Sequence, residues 1–299
     1  MSGPQLARVS LWMTGSLLSF SAMALAVRAL AGAFSTFEIL AIRTGAGLLL
    51  TLAVGALRPH LFGSLTPRRL GMHFARNGTH LAGQYMWTAS LTLLPFATVF
   101  ALEFTMPAWT TLLAALLLAE RMTPSRAGVI ACGFVGALVI LKPGFEAFKP
   151  AALLVLAAAF SFASSNIATK KLTSTETTYA IVFWMNVMQL PLAYAGSDPL
   201  FFLRIEGAHL PAVAAIGIAG LSAHFCLANA LAAGDASVVI PFDFMRLPLI
   251  AMIGWLLYHE PLELSVFAGA GLIVLGVVWN LNAETRRPLP RAPRDARGR

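Results

Sequence analysis

Long apolar runs dominate the pattern of hydrophobic and polar positions along the chain. Each run stays apolar over roughly 18 to 24 residues, and about 20 such residues let a helix cross a bilayer core of roughly 30 Å. Because the runs do not alternate between apolar and polar positions, they predict helices rather than the strands of a membrane barrel. Ten membrane-spanning helices are predicted, at residues 9–29, 36–57, 73–94, 96–118, 125–142, 150–169, 178–196, 210–232, 236–258 and 263–282.

The composition agrees with a chain that lies in a lipid bilayer. Of the 299 residues, 58% are hydrophobic and 11% are charged, whereas about 25% of the residues in a soluble domain are charged. The two cysteines, Cys132 and Cys226, lie inside apolar runs, so no disulfide framework is expected. The predicted fold class is therefore an all-α membrane protein.

Basic residues indicate which helix ends face the cytoplasm. If the N-terminus is cytoplasmic, 15 Lys and Arg residues fall on the inner side and four on the outer side, as the positive-inside rule expects. Six of the 15 lie in a C-terminal tail, residues 283–299, which we expect to lie near anionic lipid headgroups. We predict an inner-membrane protein with both termini in the cytoplasm, and the net charge of +8 does not indicate a nucleic-acid partner.

The two halves of the chain match when the second is laid over the first without a gap. The matching pairs are Glu103 with Asp243, Phe104 with Phe244, Glu120 with Glu260, Gly136 with Gly276 and Pro59 with Pro199. Each half, residues 9–142 and 150–282, contains five predicted helices, so the second half crosses the membrane in the opposite direction. Such an inverted-topology repeat is typical of carriers that open a central site alternately to the two sides of the membrane.

Two segments resemble the EamA module of the drug/metabolite transporter superfamily. They are ALEFTMPAWTTLLAALLLAERMTPSRAGVIACGFVGALVILKPG and PFDFMRLPLIAMIGWLLYHEPLELSVFAGAGLIVLG. Both have a proline within a helix, a Glu at the helix end, a short turn and then a Gly-rich helix. The resemblance implies ten helices, a central substrate cavity and alternating access. HFARNGTHLAGQYMWTASLTLLP, KPGFEAFKP and FSFASSNIATKKL resemble the branch that contains S-adenosylmethionine uptake carriers, with riboflavin carriers as a neighbouring alternative.

Four charged residues lie well inside predicted helices, where a charge costs about 2.5 to 3.5 kcal/mol and normally has a partner. They are Arg43, Glu103, Asp243 and Arg246. Asp243 and Arg246 are three residues apart, so they share a helix face and could neutralise each other. Two interpretations stay open: a structural ion pair that fixes helix register, or a charged set that lines the transport route.

The third predicted helix carries a polar stripe. It consists of Arg76, His80, Gln84 and Trp87, at spacings of four, four and three residues. These spacings place all four on one helix face, which turns inward in a bilayer and so predicts a cavity lining. Hydrogen bonding between helices is the alternative. Tyr85, Trp87 and Trp184 could stack on a planar ligand or anchor the protein at the membrane interface.

Weaker candidates accompany these residues. Pro107 and Pro248 predict helix kinks, which carriers use to build their sites. The other candidates are His224 and Asn229 on the eighth predicted helix, Ser161, Ser165 and Thr169 on the sixth, and Asn186 and Gln189 on the seventh. Hydroxyl residues at this spacing usually serve helix packing instead.

Two further groups are predicted to be structural. Gly128, Cys132 and Gly136 form a ridge of small residues, which predicts close contact with another helix. Glu120 and Glu260 end their helices at opposite membrane faces and are predicted to be exposed turn and capping residues.

The sequence predicts a secondary transporter of a small organic metabolite. It contains no HExxH, GxxxxGK[ST] or strand-associated GxGxxG motif, so no cofactor, metal site or catalytic residue is predicted. The candidate functions are S-adenosylmethionine or riboflavin uptake and amino-acid or metabolite export. Proton coupling through Glu103 or Asp243 is a hypothesis, because carboxylates in apolar surroundings take up protons readily.

The charged and polar residues have further candidate roles, and each corresponds to a different function. Arg43, Arg76 and Arg246 are candidates to hold an anionic group of the substrate. A membrane-embedded enzyme would instead use acid–base groups, namely His80, His224, Glu103 and Asp243. A channel-like facilitator would show flux without saturation or exchange.

Overall fold

The computed structural model describes residues 3–65, 68–117, 122–142, 149–172, 175–233 and 245–285. Within these ranges the chain forms eleven α-helices and three short 3₁₀ segments, and no strand. The α-helices are α1 (Gly3–Leu30), α2 (Thr36–Leu57), α3 (Leu70–Leu93), α4 (Phe96–Glu103), α5 (Met106–Leu117), α6 (Pro124–Leu141), α7 (Ala151–Leu172), α8 (Thr178–Ala195), α9 (Leu210–Ala233), α10 (Arg246–Tyr258) and α11 (Leu264–Thr285). Asp243, Glu120 and residues 286–299 of the predicted tail lie outside the described residues.

The apolar helices confirm the predicted all-α membrane fold. Five segments of the described chain are long and apolar enough to cross a membrane, namely Ala7–Leu30, Thr36–Leu57, Phe96–Leu117, Pro124–Leu141 and Ala151–Thr169. Shorter apolar helices cover Gly207–Ala223, Arg246–Tyr258 and Leu264–Asn280. α3 is not in either group, since its polar stripe lowers its hydropathy. The count of ten spans therefore stays a prediction.

Side-chain caps explain where several helices begin. Ser35 precedes α2, where its hydroxyl accepts a hydrogen bond from the backbone N–H of Glu38 while the Glu38 carboxylate accepts one from the backbone N–H of Ser35. Thr123 caps α6, with Pro124 at the first helical position, where its missing N–H has no helical partner to lose. Thr177 caps α8 in the same way as Thr123.

The predicted fourth span is interrupted in the middle. α4 ends at Glu103 and α5 begins at Met106, so the helix breaks at residues 104–105. Pro107 accounts for the break, because its ring clashes with the carbonyl group four residues earlier, that of Glu103, and it has no N–H to donate. In the second half, Pro248 is the third residue of α10.

Helices from the two halves pack against each other in an antiparallel direction. α3 lies on α7, with Arg76 beside Thr169 and Gly83 beside Phe162. The remaining contacts are Gly15 with Cys226 and Ser19 with Ser222 (α1 and α9), Gly45 with Leu190 and Gly47 with Asn186 (α2 and α8), and Cys132 with Gly276 and Gly136 with Gly269 (α6 and α11). Each of these four pairs joins one helix from residues 9–142 to one from residues 150–282.

Glycines bring α6 and α11 close together. A Cβ atom added to Gly136 would lie 2.6 Å from the carbonyl oxygen of Gly269, and one added to Gly269 would lie 2.5 Å from that of Gly136. Cys132 lies against Gly276 one turn further along. The predicted small-residue ridge is therefore confirmed as a helix contact at Cys132 and Gly136.

Candidate functional site

The polar stripe of α3 faces the interior of the bundle. Its members are Arg76, His80, Gln84 and Trp87, and none of them is more than 9% exposed. We call these four residues the α3 polar face. Eleven residues separate its first member from its last, which at about 1.5 Å per residue corresponds to roughly 17 Å, or about half of a bilayer core. The face is therefore turned into the bundle over about three turns of α3.

Polar groups from α7 and α8 contact the N-terminal half of this face. Arg76 donates through Nε to the hydroxyl of Thr169 at 3.2 Å and through Nη1 to the side-chain oxygen of Asn77 at 2.8 Å. Nδ1 of His80 lies 3.0 Å from the amide nitrogen of Gln189, which also donates to the backbone carbonyl of Asn77 at 3.2 Å. If the amide donates to His80, the ring carries its proton on Nε2.

Arg43 reaches the middle of the face from α2. Its guanidinium donates to the side-chain oxygen of Gln84. On the other side, Nε of Arg43 lies opposite Gly220 of α9, where a Cβ atom would be 3.6 Å away. The glycine thus lets α9 approach the guanidinium closely.

A carboxylate and a third arginine complete the C-terminal end of the face. The indole N–H of Trp87 donates to Oε2 of Glu103 at 2.8 Å, and Nη2 of Arg246 lies 3.5 Å from Oε1 of the same carboxylate. The Arg246 guanidinium also lies 4.9 Å from the ring centre of Phe20 and 5.0 Å from that of Phe100, so aromatic faces share its charge. Glu103 at the helix break of the first half therefore meets Arg246 of the second half.

The polar face collects partners from several different helices. Thr169 comes from α7, Gln189 from α8, Arg43 from α2 and Glu103 from the end of α4. Thr169 and Gln189 were only weak candidates by sequence, because nothing local distinguishes them from residues that serve helix packing. Their contact with a charged or ring nitrogen is what marks them here.

Two predicted aromatic candidates lie away from the face. Tyr85 is 39% exposed and packs on Phe37, with ring centres 4.7 Å apart. Trp184 lies in the second turn of α8 and donates its indole N–H to the backbone carbonyl of Leu65 at 2.8 Å.

The remaining candidates fall into two groups. Asn229 donates to the backbone carbonyl of Phe225 in its own helix at 2.8 Å. Pro107 and Pro248 lie in the first turns of α5 and α10. The side chain of His224 lies outside the described residues, as Asp243 does.

A buried histidine–glutamate pair joins the two halves at one end of the bundle, and the sequence did not predict it. His73 of α3 and Glu176, from the loop between α7 and α8, approach to 2.6 Å. Backbone N–H groups of Arg68 and Arg69 donate to the same carboxylate at 3.1 and 3.3 Å. Burial favours a higher pKa for Glu176, but these hydrogen bonds and the contact with His73 outweigh it and hold the pKa below its ordinary value.

A second ion pair joins the halves at the opposite end. Arg28 of α1 pairs with Glu260, which follows α10, and stacks 3.6 Å above the ring centre of Phe96. Glu260 accepts the backbone N–H of Phe96 at 2.7 Å, so it caps α4. The prediction that Glu260 is an exposed turn residue is wrong, because its side chain is only 11% exposed. Its partners lie in the other half of the chain, and local sequence gives no sign of them.

An apolar helical bundle that buries charged and polar side chains between its helices is typical of proteins that move polar molecules through a bilayer. The model of the EamA-like transporter family matches this chain twice, over residues 7–142 and 149–282. The chain therefore belongs to the EamA-like transporter family, and the resemblance found in the sequence is confirmed.

Relatives of the chain are named as transporters of small molecules. A riboflavin transporter from Rhizobium johnstonii is 33% identical over 215 residues, which cover 72% of this chain and 71% of the relative. An S-adenosylmethionine uptake transporter from Rickettsia felis is 28% identical over 227 residues, which cover 75% of this chain and 76% of the relative. A solved crystal structure shares the fold, with a TM-score of 0.60 at 17% identity over 95% of this chain and 99% of that one. The protein is thus a multi-pass membrane transporter of a small metabolite.

Proposed function

We propose that this protein is a secondary carrier that moves its metabolite across the inner membrane by alternating access, with the substrate held at the α3 polar face. The observation that carries this proposal is the burial of that face inside an apolar bundle, with polar partners from α2, α4, α7 and α8. Charged and polar side chains inside a membrane protein are expensive and usually mark a substrate pathway. Riboflavin and S-adenosylmethionine are the first substrates to consider, since relatives are named for them.

The helix packing supports two inverted repeats, residues 9–142 and 150–282. In the alignment of the two halves that pairs Glu103 with Asp243, α2 corresponds to α8 and α6 to α11, and both pairs run antiparallel. When each helix is replaced by its counterpart in the other half, the contact of α1 with α9 becomes the contact of α7 with α3. Corresponding helices that run in opposite directions are what an inverted repeat requires, and the two separate family matches have nearly the same bounds.

Equivalent loops offer a direct test of this topology and of cytoplasmic termini. Gly63 lies between α2 and α3, Gly207 lies between α8 and α9, and both are exposed with open space around them. In a background without Cys132 and Cys226, an impermeant maleimide applied to intact cells should label Gly207→Cys. Gly63→Cys should react only after the membrane is opened. Labelling of both from the same side would contradict the inverted repeat.

Alternating access needs contacts that open at each end of the polar face. The pairs His73–Glu176 and Arg28–Glu260 each join a residue of the first half to one of the second. Relative motion of the halves would break one pair while the other stays closed. In this scheme the two pairs close the opposite ends of the pathway.

Proton coupling is proposed through Glu103. Its carboxylate contacts both Trp87 and Arg246, so taking up a proton would remove the charge that attracts Arg246. If transport is proton-coupled, a proton gradient should drive uptake by the wild type and not by Glu103→Gln. The same rate with and without a gradient would argue against coupling.

Counterflow in proteoliposomes tests the carrier itself. Vesicles are preloaded in turn with S-adenosylmethionine, riboflavin, amino acids and nucleosides, and entry of the labelled compound is followed for the wild type, Glu103→Gln and Arg246→Gln. Arg204→Gln is the control, because Arg204 pairs with Glu38 outside the polar face and its side chain is 47% exposed. One preload should accelerate entry, and both polar-face variants should reduce it.

Each alternative has its own result in the same experiment. Flux that does not saturate and is not accelerated by any preload would indicate a channel-like facilitator. Normal exchange by both variants would mean that the Glu103–Arg246 contact is structural. Conversion of a preloaded compound into a product would indicate an enzyme.

A further inference from the structure

The three arginines near the polar face differ in how their charge is balanced. Arg246 lies 3.5 Å from the carboxylate of Glu103. Arg43 donates to the amide oxygen of Gln84, and Arg76 donates to the oxygens of Thr169 and Asn77. Within the described ranges, neither Arg43 nor Arg76 contacts a carboxylate. Among the described residues, the groups that solvate these two positive charges are therefore neutral.

Both positive charges lie along one face of α3. Arg76 and Gln84, the partner of Arg43, are about two turns apart on that face. Like charges that share a largely apolar interior repel each other, and a cation there without a counter-charge is unfavourable. Because guanidinium groups keep their protons under all ordinary conditions, the repulsion cannot be relieved by loss of a proton. An anion that enters between them would relieve it.

A buried hydroxyl group of α7 faces the same stretch of α3. Ser165 of α7 is 1% exposed, and its hydroxyl has no hydrogen-bond partner among the described residues. Thr169, which contacts Arg76, and Phe162, which contacts His80 with ring centres 5.8 Å apart, lie on the same side of α7. The spacing of three and four residues puts Ser165 between these two contacts, facing α3. A buried hydroxyl without a partner is unfavourable, and a ligand atom within hydrogen-bond distance would satisfy it.

We infer that Arg43 and Arg76, together with Ser165, form a site for an anionic group of the substrate, a carboxylate or a phosphate. This inference rests on the proposed carrier function and narrows its substrate class. Guanidinium groups bind carboxylate and phosphate oxygens through paired charge-assisted hydrogen bonds. Arg246 is not part of the site, because Glu103 already balances its charge. An uncharged substrate such as riboflavin leaves the site empty, whereas the carboxylate of S-adenosylmethionine fills it.

Competition between matched compounds tests the inference during transport. Riboflavin is compared with riboflavin 5′-phosphate, and S-adenosylmethionine with its decarboxylated form, as competitors of counterflow. In at least one pair the anionic member should compete about tenfold better or more, as expected for charge-assisted hydrogen bonds. The first pair reports on phosphate and the second on carboxylate. Equal or better competition by the member that lacks the group, in both pairs, overturns the inference even if transport is robust.

Substitutions test which residues cause the preference for the anionic compound. Arg43→Gln and Arg76→Gln should remove the preference for the anionic member, while Arg43→Lys keeps part of it. Ser165→Ala should weaken the preference. Its control is Ser164→Ala, whose hydroxyl donates to the backbone carbonyl of Phe160 at 2.9 Å within the same helix. A preference that survives both glutamine variants places the anion elsewhere and contradicts the assignment.

Thermal unfolding of the purified protein separates the site from transport. Inorganic phosphate or acetate, titrated against chloride at constant ionic strength, should raise the melting temperature of the wild type in a saturable way. Arg204→Gln should respond as the wild type does, and Arg43→Gln and Arg76→Gln should not. A saturable, arginine-dependent shift without exchange of any compound supports the anion site and contradicts the carrier function. Exchange without any such shift or anionic preference supports the carrier and contradicts the site.

Discussion

The contact between α6 and α11 allows a prediction with a matched control in the same pair of helices. Replacing Gly136 by Ala places a methyl group 2.6 Å from the carbonyl oxygen of Gly269 and 2.5 Å from the side chain of Ile273. Gly271→Ala, on α11, places the same methyl group in open space, with nothing within 4 Å. The two substitutions are chemically identical and differ only in what the methyl group meets.

The expected effects have opposite signs. Ordinary van der Waals contact is about 3.5 Å or more, so Gly136→Ala must push the two helices apart by close to 1 Å. One of the two obstacles is the Gly269 backbone, which cannot rotate away as a side-chain tip can. Overpacking of this kind costs about 1 to 3 kcal/mol. Gly271→Ala removes a flexible residue from a helix and should stabilise the protein by about 0.5 to 1 kcal/mol.

Unfolding in lipid nanodiscs measures both variants. The melting temperature, followed by tryptophan fluorescence, should fall by several degrees for Gly136→Ala and stay the same or rise for Gly271→Ala. Because α6 and α11 join the two proposed repeats, counterflow should also slow in Gly136→Ala. Equal melting temperatures for Gly136→Ala and the wild type would show that α6 and α11 are not in close contact.

Two further predictions concern the ion pairs. Glu103→Gln and Arg246→Gln should each lower stability, and the double variant should lose less than the sum by about 0.5 to 3 kcal/mol; additive losses would contradict the contact. Glu176→Gln should lower the melting temperature at neutral pH and flatten its fall on acidification. A pKa lowered by folding stabilises the protein above the ordinary value of 4.5, and that stabilisation is lost as the pH falls further. Parallel pH curves for variant and wild type would contradict the role of His73 and the loop N–H groups.

Local patterns in the sequence determined where the helices lie and which side of a helix is buried. Apolar runs of membrane length predict helices because a bilayer leaves a backbone no other way to satisfy its hydrogen bonds. The spacing from Arg76 to Trp87 places the stripe on one side of α3, because helical periodicity is a property of the local chain. Neighbouring residues in the chain also define the family motifs, the capping residues Ser35 and Thr123, and the glycine ridge around Gly136.

Only the tertiary structure decided which charges meet. Spacing along the chain indicated that Asp243, which lies outside the described residues, could neutralise Arg246; it did not indicate Glu103, beside which the structure places Arg246 and which belongs to the other half of the chain. Glu260, which ends a helix and was expected to be exposed, is only 11% exposed and packs against Arg28 and the N-terminus of α4. Tyr85, a neighbour of the stripe in sequence, packs on Phe37 at a half-exposed surface.

The physical reason for this division is the range of the forces involved. Helix formation and the side a residue faces depend on neighbours within a few positions. The partner of a buried charge depends on where distant helices cross, and that is set by packing of the whole bundle. Among the described residues, the difference between Arg246, which lies beside a carboxylate, and Arg43 and Arg76, which contact neutral groups, therefore exists only in the folded protein.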